Sequence, residues 1–525
     1  MQAGVDDIDE DCLTLTITAP KGAANSKARL PVMVWIYGGG FVQGSQVYYN
    51  DAALVPYSIV TDQPVVLVTI NYRVGIWGFG YGKEIEDAGA ANLGHRDQIL
   101  ALQWVQKHIR KFGGCKNKVT VFGQSAGAIS IANLLLKARV DDKRLFRGAI
   151  RQSGAASSAP LAKTGEAWQG AYDALVAAAG CNDTCTHPDS LDCLRQLDAG
   201  DLLKAQVAMR AKFEYSLGFV FGPSIDGDII PDSPAALLHA GKVAKVPFIT
   251  GTTKDEGTAF IPQSGLLATP GAANIALGLL YPATPAKQLA DGIFQRWPAD
   301  PAQGAPFGTG SDLFGLPAAF KQLSAAITDI AFNSRRRWLL RNANLAGNAK
   351  TWSYFFNATG PCEEPQLGSE WRRAVWEKAT DRQSLLTHPP TQAHMPTTSS
   401  TCSARRGPRA RRRGTRPTRS SCRPSSWTIG ECAVVRFRRA ADAARRLNFA
   451  YNADPNGECL PEWPAHRYPD NKNSLRVVPG DVGVLQDDFR EAQMDWMNDS
   501  AVAKGLYMRD GAAGEVTAEL RRMSA

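Results

Sequence analysis

Residues 119–128 read VTVFGQSAGA and decide the fold of the chain. The short apolar run ends in a Gly-x-Ser-x-Gly turn around Ser125, and an Ala-rich helical pattern follows. This order of strand, turn and helix is typical of a nucleophile elbow, which holds one serine in a strained conformation at a helix N-terminus. Gly123 and Gly127 have no Cβ, so the strand and the helix can approach closely. The pattern therefore predicts an exposed, reactive serine at position 125.

Strand-like runs precede and follow the elbow. They cover residues 10–17, 30–37, 64–71, 148–150, 246–251 and 351–356. Several are continuously apolar, as strands buried on both faces are, and they alternate with helical spacing over residues 96–111 and 126–137. This alternation predicts an α/β fold with a mostly parallel central sheet and helices on both faces. Residues from about 160 to 240 and from 262 to 345 predict helical, cap-like excursions from that sheet.

The net charge of +9 comes from one segment of the chain. Residues 402–446 hold fourteen arginines and two acidic residues, a local balance of +12, so the remainder carries 9 − 12 = −3. The basic balance is therefore no evidence for a nucleic-acid surface. No apolar run approaches the roughly 18 residues of a membrane span, which argues against stable membrane insertion.

The ten cysteines favour an oxidising, secretory route. Sequons occur at Asn182, Asn357 and Asn498, and each is a candidate glycosylation site. Within the first excursion we favour a disulfide between Cys181 and Cys193, and Cys362 with Cys459 is a second guess. The N-terminus shows neither the basic nor the apolar region of a signal peptide.

Eight short motifs follow one another along residues 10–464. They are EDCL at 10–13, YGGGF at 37–41, NYRVG at 71–75, DQ at 97–98, FGG at 112–114, GQSAG at 123–127, DEGT at 255–258, and DPNG at 454–457 with WP at 463–464. Together they resemble the type-B carboxylesterase/lipase family, the α/β hydrolases that include cholinesterases and fungal lipases. The resemblance covers roughly residues 10–360 and 447–500.

The resemblance implies a carboxylic ester hydrolase with a Ser-Glu-His triad, an acyl-enzyme intermediate and no metal ion or organic cofactor. Ser125 would be the nucleophile, and Glu256 would orient the catalytic histidine. The N–H groups of Gly39, Gly40 and Ala126 would form the oxyanion hole. Taken alone, the glycine loop favours a plain tight turn. The substrate would be a small-molecule or lipid ester, and the protein would be extracellular; acyl and alcohol specificity and the oligomeric state stay open.

The resemblance also implies that the N-terminal strands are truncated. In the family, the cysteine that corresponds to Cys12 pairs with one further upstream, and only eleven residues precede Cys12 here. Arg73 and Asp97 would stabilise the structure and not take part in chemistry.

The catalytic histidine is the weak point of the resemblance. The His-x-x-Asp-Leu context of the family follows none of the seven histidines, and His394 is the candidate that we retain. Reading the codons of residues 393–403 two bases further along permits Thr-His-Ala-Asp-Asp-Leu-Leu-Tyr-Val-Phe-Gly, which is the family's histidine strand. We therefore expect a catalytic domain at 1–360, an aberrant segment at 361–446 translated out of frame, and the remainder of the same domain at 447–525.

Three other interpretations stay open. The segment 361–446 could be a disordered basic insertion that is genuinely encoded. The whole chain could be a non-catalytic, cholinesterase-like binding or adhesion protein, or an inactive, truncated gene product. Both Ser125 and Glu256 are present, which favours the enzyme.

Overall fold

The computed structural model describes residues 9–49, 54–136, 145–159, 161–183, 189–212, 220–261, 286–357, 443–457, 460–478, 481–498 and 508–509. Its centre is a nine-stranded sheet. The strands are β1 (Leu15–Thr18), β2 (Leu30–Ile36), β3 (Val66–Ile70), β4 (Gly114–Gln124), β5 (Gly148–Gln152), β7 (Phe248–Thr253), β8 (Thr351–Phe356), β9 (Asn473–Val478) and β10 (Asp481–Gln486). A separate parallel pair joins β6 (Leu161–Ala162) to β11 (Met508–Arg509).

The order of the strands across the sheet is β1-β3-β2-β4-β5-β7-β8-β9-β10. All neighbours from β3 to β9 run parallel, and only β1 against β3 and β10 against β9 are antiparallel. Parallel strands need long connections, and helices supply them here. The predicted α/β fold with a mostly parallel sheet is therefore confirmed.

Helices surround this sheet. They are α1 (Leu54–Val60), α2 (Gly75–Phe79), α3 (Lys83–Asp87), α4 (Leu93–His108), α5 (Ala126–Leu136), α6 (Gln169–Ala178), α7 (Ser190–Gln196), α8 (Ala199–Lys212), α9 (Pro234–His239), α10 (Ala286–Arg296), α11 (Ala319–Ile327), α12 (Ser334–Leu345) and α13 (Glu491–Asn498), with a further helix over residues 443–452. A π-helical segment, Thr328–Asn333, joins α11 to α12 without a break. Within these residues, no helix is both long and apolar enough to cross a membrane.

The core sits where the elbow is built. All five residues of β3 and all eleven of α5 are buried, and so are six of the seven residues of β2. Each fully buried Val, Leu or Ile contributes about 1.5–3 kcal/mol to stability. The elbow thus lies between the buried strand β2, which neighbours β4, and the fully buried helix α5.

The first predicted excursion contains helices α6 to α9, and it also contributes the short strand β6. Cys181 and Cys193 form a disulfide in this region, the pairing that the sequence favoured. A second apolar cluster lies under α10, α11 and α13, where Trp297, Phe320 and Met494 are buried together. The second excursion therefore packs against the C-terminal helix α13.

The C-terminal strands complete the same sheet. β9 pairs with β8, and β10 pairs with β9. Asp487, directly after β10, is fully buried and forms ion pairs with Arg336 and Arg337 of α12. Burial alone would raise the pKa of Asp487, but the two guanidinium groups hold it well below its usual range.

Candidate active site

Ser125 occupies the sharp turn between β4 and α5. Its φ of +53° lies in the left-handed region, which costs a non-glycine residue about 1–3 kcal/mol. Its N–H donates to the carbonyl oxygen of Gln152 on the neighbouring strand, at 2.9 Å. A Cβ at Gly127 would overlap the carbonyl oxygen of Ile36 and lie 2.7 Å from that of Tyr37. Glycine is therefore required where α5 crosses the end of β2, as the elbow pattern predicts.

Three neighbouring strands place the candidate residues at one edge of the sheet. Gln124 of β4 lies beside Gln152 of β5, and Gln152 lies beside Gly251 of β7. Ser125 follows β4 directly, and Glu256 comes three residues after β7. Because these strands are parallel and in register, both residues lie at their carboxyl ends, where open α/β sheets bind ligands.

The glycine loop after β2 lies against the elbow. A Cβ at Gly38 would be 2.9 Å from Cβ of Ser125, so only glycine allows this approach. Gly39 and Gly40 have φ values of +123° and +63°. Within the described residues, the N–H groups of Gly39, Gly40 and Ala126 have no hydrogen-bond acceptor. The loop and the helix N-terminus thus offer unpaired donors beside Ser125, which is the arrangement that an oxyanion needs.

Glu256 lies in a tight turn at the end of β7. Its Oε1 accepts the N–H of Thr253 at 2.8 Å, and the hydroxyl of Ser153 acts to lower the pKa of this carboxyl. Burial raises the pKa of the Glu256 carboxyl, while these hydrogen bonds act in the opposite direction. A carboxylate held in this way can accept a further N–H and stabilise a cation that faces it.

Ser153 is a residue of this site that the sequence does not single out. This residue follows β5 directly and has a φ of +55°, the same left-handed conformation as Ser125 one strand away. Its N–H donates to the carbonyl oxygen of Gly251 at 2.8 Å, which ties the ends of β5 and β7 together. The Ser-Gly pair at 153–154 marks the end of a strand, and nothing in it shows that the hydroxyl faces Glu256.

His394 lies outside the described residues, so the structure does not place the predicted base. Four histidines are described, and each contacts a different part of the fold. His95 is fully buried against Phe79 and Asn133, and burial lowers its pKa to about 3. His466 bonds Asn344, and burial lowers its pKa to about 4. His108 packs against Trp104 and His239 against Trp338.

The remaining sequence candidates have structural or surface positions. Arg73 forms two hydrogen bonds of 2.8 Å with the carboxylate of Asp97, an ion pair that holds α4 against the loop after β3. Cys12 is half-buried and not in a disulfide among the described residues. Asn182 is exposed; Asn357 and Asn498 are half-buried, and Asn498 Oδ1 accepts a hydrogen bond from Arg335. No cluster of possible metal ligands occurs in the part of the chain that the structure describes.

Comparison with known proteins decides the family. The model of the carboxylesterase family matches residues 1–277, which is more than half of the chain. The chain belongs to the carboxylesterase family. The α/β hydrolase fold and the resemblance to type-B esterases and lipases are thereby confirmed.

Fungal lipases are among the similar sequences. Lipase 2 of Geotrichum candidum is 39% identical over 365 residues, which are 67% of this chain and 63% of that lipase. The secreted triacylglycerol lipase LIP1 of Gibberella zeae is 36% identical over 66% of this chain and 59% of its own length. An inactive carboxylesterase-like protein of Byssochlamys spectabilis, VdtD, is 36% identical over 49% of this chain and 45% of its own. This chain thus spans less than two thirds of the length of the relatives that it matches.

A solved structure shows the same fold. The crystal structure of Aspergillus niger EstA superposes with a TM-score of 0.71, at 23% identity, and covers 96% of this chain and 87% of that one. At this identity, the likeness concerns the fold alone.

Proposed function

We propose that this chain is a serine carboxylic ester hydrolase with Ser125 as its nucleophile. One observation carries the proposal: Ser125 sits strained at the elbow with Gly38 of the glycine loop against it, and the N–H groups of Gly39, Gly40 and Ala126 have no acceptor among the described residues. Membership of a family with lipases among its relatives supports this assignment.

The proposed reaction proceeds in two halves. A base removes the proton of Ser125 Oγ as the oxygen attacks the ester carbonyl carbon, and the N–H groups stabilise the tetrahedral oxyanion. The base then returns the proton to the leaving alcohol as the C–O bond breaks, which leaves an acyl group on Ser125. Water attacks the acyl-enzyme by the same route and releases the acid. Glu256 orients the base and stabilises its cationic form.

We propose a histidine at or beside position 394 as that base. None of the four described histidines is seen in contact with Ser125 or Glu256, and the frame hypothesis takes the base from the segment after β8. The frame hypothesis puts the intended histidine codon across His394 and Met395. Under it, the chain as written hydrolyses esters slowly, because loss of a triad member costs several orders of magnitude in turnover. A transcript with one continuous reading frame across codons 360–450 that encodes these arginines would refute the hypothesis.

We further propose that the substrate is a small-molecule or lipid ester and that the protein acts outside the cell. The disulfide between Cys181 and Cys193 suits an oxidising compartment, and relatives such as LIP1 are secreted lipases. Asn182, which is exposed next to this disulfide, is the sequon best placed for a glycan.

A fluorophosphonate probe tests the proposal, since it reacts with an activated serine. Under the frame hypothesis the base is missing, so we expect labelling of the full chain to be slow but to reach one probe per chain, and we expect none of Ser125→Ala. Ser45→Ala, a buried serine outside the elbow, is a control that should label like the wild type. Labelling that persists in Ser125→Ala would remove Ser125 from the role.

The second candidate is a non-catalytic binding protein. The similarity to VdtD, an inactive carboxylesterase-like protein, favours it, as does the lack of a base among the described histidines. A chain that folds, binds esters and never labels at Ser125 would decide for this alternative.

A further inference from the structure

The π-helical segment Thr328–Asn333 is the least expected element of the fold. All six of its residues are buried, including the polar side chains of Thr328, Asp329 and Asn333. π-helical turns are rare and are found frequently at functional sites, because they reorient side chains within a helix. Burial of three polar side chains costs stability unless each finds partners, so their contacts indicate what the segment does.

Thr328 contacts the turn that carries Glu256. The N–H of Gly257 donates to Thr328 Oγ1 at 2.8 Å, and the Thr328 hydroxyl in turn donates to the carbonyl oxygen of Ser324 at 2.8 Å. The second bond fixes the hydroxyl proton, so an oxygen lone pair faces Gly257. A Cβ at Gly257 would lie 2.7 Å from the backbone N of Thr328, which shows how closely the turn and the helix approach.

Asn333 contacts the strand on the other side of Glu256. The hydroxyl of Thr252, on β7, donates to Asn333 Oδ1 at 2.8 Å. Asn333 Nδ2 donates to Asp329 Oδ1 at 2.9 Å, which fixes the orientation of the amide. Asp329 is itself held by Arg490, whose Nε and Nη2 lie 2.6 Å and 2.8 Å from its two oxygens.

The two contacts lie on either side of Glu256 in the sequence. Thr252 lies four residues before Glu256 and Gly257 directly after it, so the segment fixes the backbone on both sides of this residue. An ordinary α-helix would rotate Thr328 and Asn333 relative to each other, so that one could not face the turn at Gly257 while the other faces β7. Positioning matters because a displacement of about 1 Å in a catalytic group can cost roughly a hundredfold in rate.

We propose that the π-helical segment positions Glu256, with Thr328 as the positioning residue and Asp329 as the anchor of Asn333. The proposal rests on the function proposed above. It adds that the acid depends on a helix outside the loop that carries it.

Thr328→Val tests the proposal, because valine keeps the shape and removes the acceptor of the Gly257 N–H. In the chain whose reading frame over residues 361–446 is restored, so that the base is present, we expect kcat toward a soluble p-nitrophenyl ester to fall by about 10- to 100-fold while KM stays within about twofold. The acid limb of the kcat/KM profile should move to lower pH, since a displaced carboxylate no longer stabilises the protonated base. Thr328→Ser keeps the hydroxyl and should restore both.

Amide hydrogen exchange at Gly257 gives a readout that needs no activity. Exchange should become about tenfold faster or more in Thr328→Val and not in Thr328→Ser. Thr120→Val is the matched control, because the buried Thr120 hydroxyl has no partner in the described part of the chain; it should change neither readout. If Thr328→Val does not fold, Thr252→Val breaks the other contact and carries the same expectations.

The outcomes separate the two proposals. Wild-type kcat and an unchanged pH profile in Thr328→Val, or unchanged exchange at Gly257, would overturn the positioning role. A wild-type chain that neither hydrolyses esters nor labels at Ser125 would overturn the proposed function. In that case, exchange at Gly257 still decides whether the segment holds the turn.

Discussion

Replacing Arg151 with methionine should stabilise the protein. Arg151 lies on β5 in the middle of the sheet and is fully buried. Its Nε, Nη1 and Nη2 atoms have no hydrogen-bond partner among the described residues. In the described part of the chain, the guanidinium lies over the ring of Phe248, whose centroid is 4.8 Å from the guanidinium carbon. A charge that is buried without a partner costs much more than it contributes.

The size of the effect follows from the pKa. Burial lowers the pKa of Arg151 from its usual value to about 9. A difference of this size corresponds to roughly 5 kcal/mol against the charged form, at about 1.4 kcal/mol for each pKa unit. The contact with Phe248 offsets about 2 kcal/mol of this cost. Methionine has a similar length and buries only apolar atoms, so we expect Arg151→Met to raise the free energy of unfolding by about 2–4 kcal/mol.

Urea unfolding followed by tryptophan fluorescence measures the change as a shift of the midpoint at constant slope. Arg336→Met is the matched control, because Arg336 is equally buried but forms an ion pair with Asp487. This control should lower the midpoint, since it removes one partner of a buried carboxylate. A lower midpoint in Arg151→Met as well would refute the reasoning and show that the guanidinium is satisfied in solution.

Three further predictions concern the elbow and two buried titrating groups. Gly127→Ala should destabilise the fold by more than about 3 kcal/mol, because its Cβ would meet the immobile backbone of β2. Gly170→Ala is the control, because open space surrounds its Cβ, and thermal unfolding compares the two variants. Burial lowers the pKa of His95 to about 3, so the neutral form is favoured and stability is lost as pH falls from about 6.5 toward 3; the urea midpoint at pH 5 should be lower than at pH 7, and His95→Asn should lessen that difference. Asp487→Asn should lower the free energy of unfolding by about 3–5 kcal/mol at pH 7. Because ion pairing lowers the pKa of Asp487, this difference from the wild type should shrink as pH falls below about 4, and urea midpoints measure it.

The sheet and the elbow are predictable because their signals are local. Every strand predicted in the core has a counterpart in the structure: the predicted run at 351–356 matches β8 residue for residue, and the run at 30–37 exceeds β2 by one. Continuous apolar runs report burial on both faces, and Gly-x-Ser-x-Gly reports a close approach of two backbones. Each of these two signals is contained within about ten residues of sequence.

The supports of Glu256 are not predictable in this way. Ser153 and Thr328 act through contacts with residues distant in sequence, such as the 71 residues that separate Gly257 from Thr328. No propensity distinguishes a π-helical turn from the α-helix around it, so residues 328–333 read as ordinary helix. The burial of Arg151 is not predictable for a related reason: the apolar pattern of β5 ends at Ile150, and a charged residue at the next position indicates the end of burial.

The two halves of the proposed catalytic centre differ in how far a damaged gene would affect them. The proposed nucleophile follows β4, the glycine donors follow β2, and the acid follows β7. Ser153 follows β5, which lies between β4 and β7, and all four strands end before residue 254. The base would come from beyond β8, on the far side of Phe356. A shift of reading frame after residue 360 therefore removes the base and leaves the hydroxyl, the donors and the carboxylate in register, because neighbouring strands hold them. Such a chain would bind an ester carbonyl at a formed oxyanion site and turn it over slowly, so affinity for a transition-state analogue would survive the loss of rate.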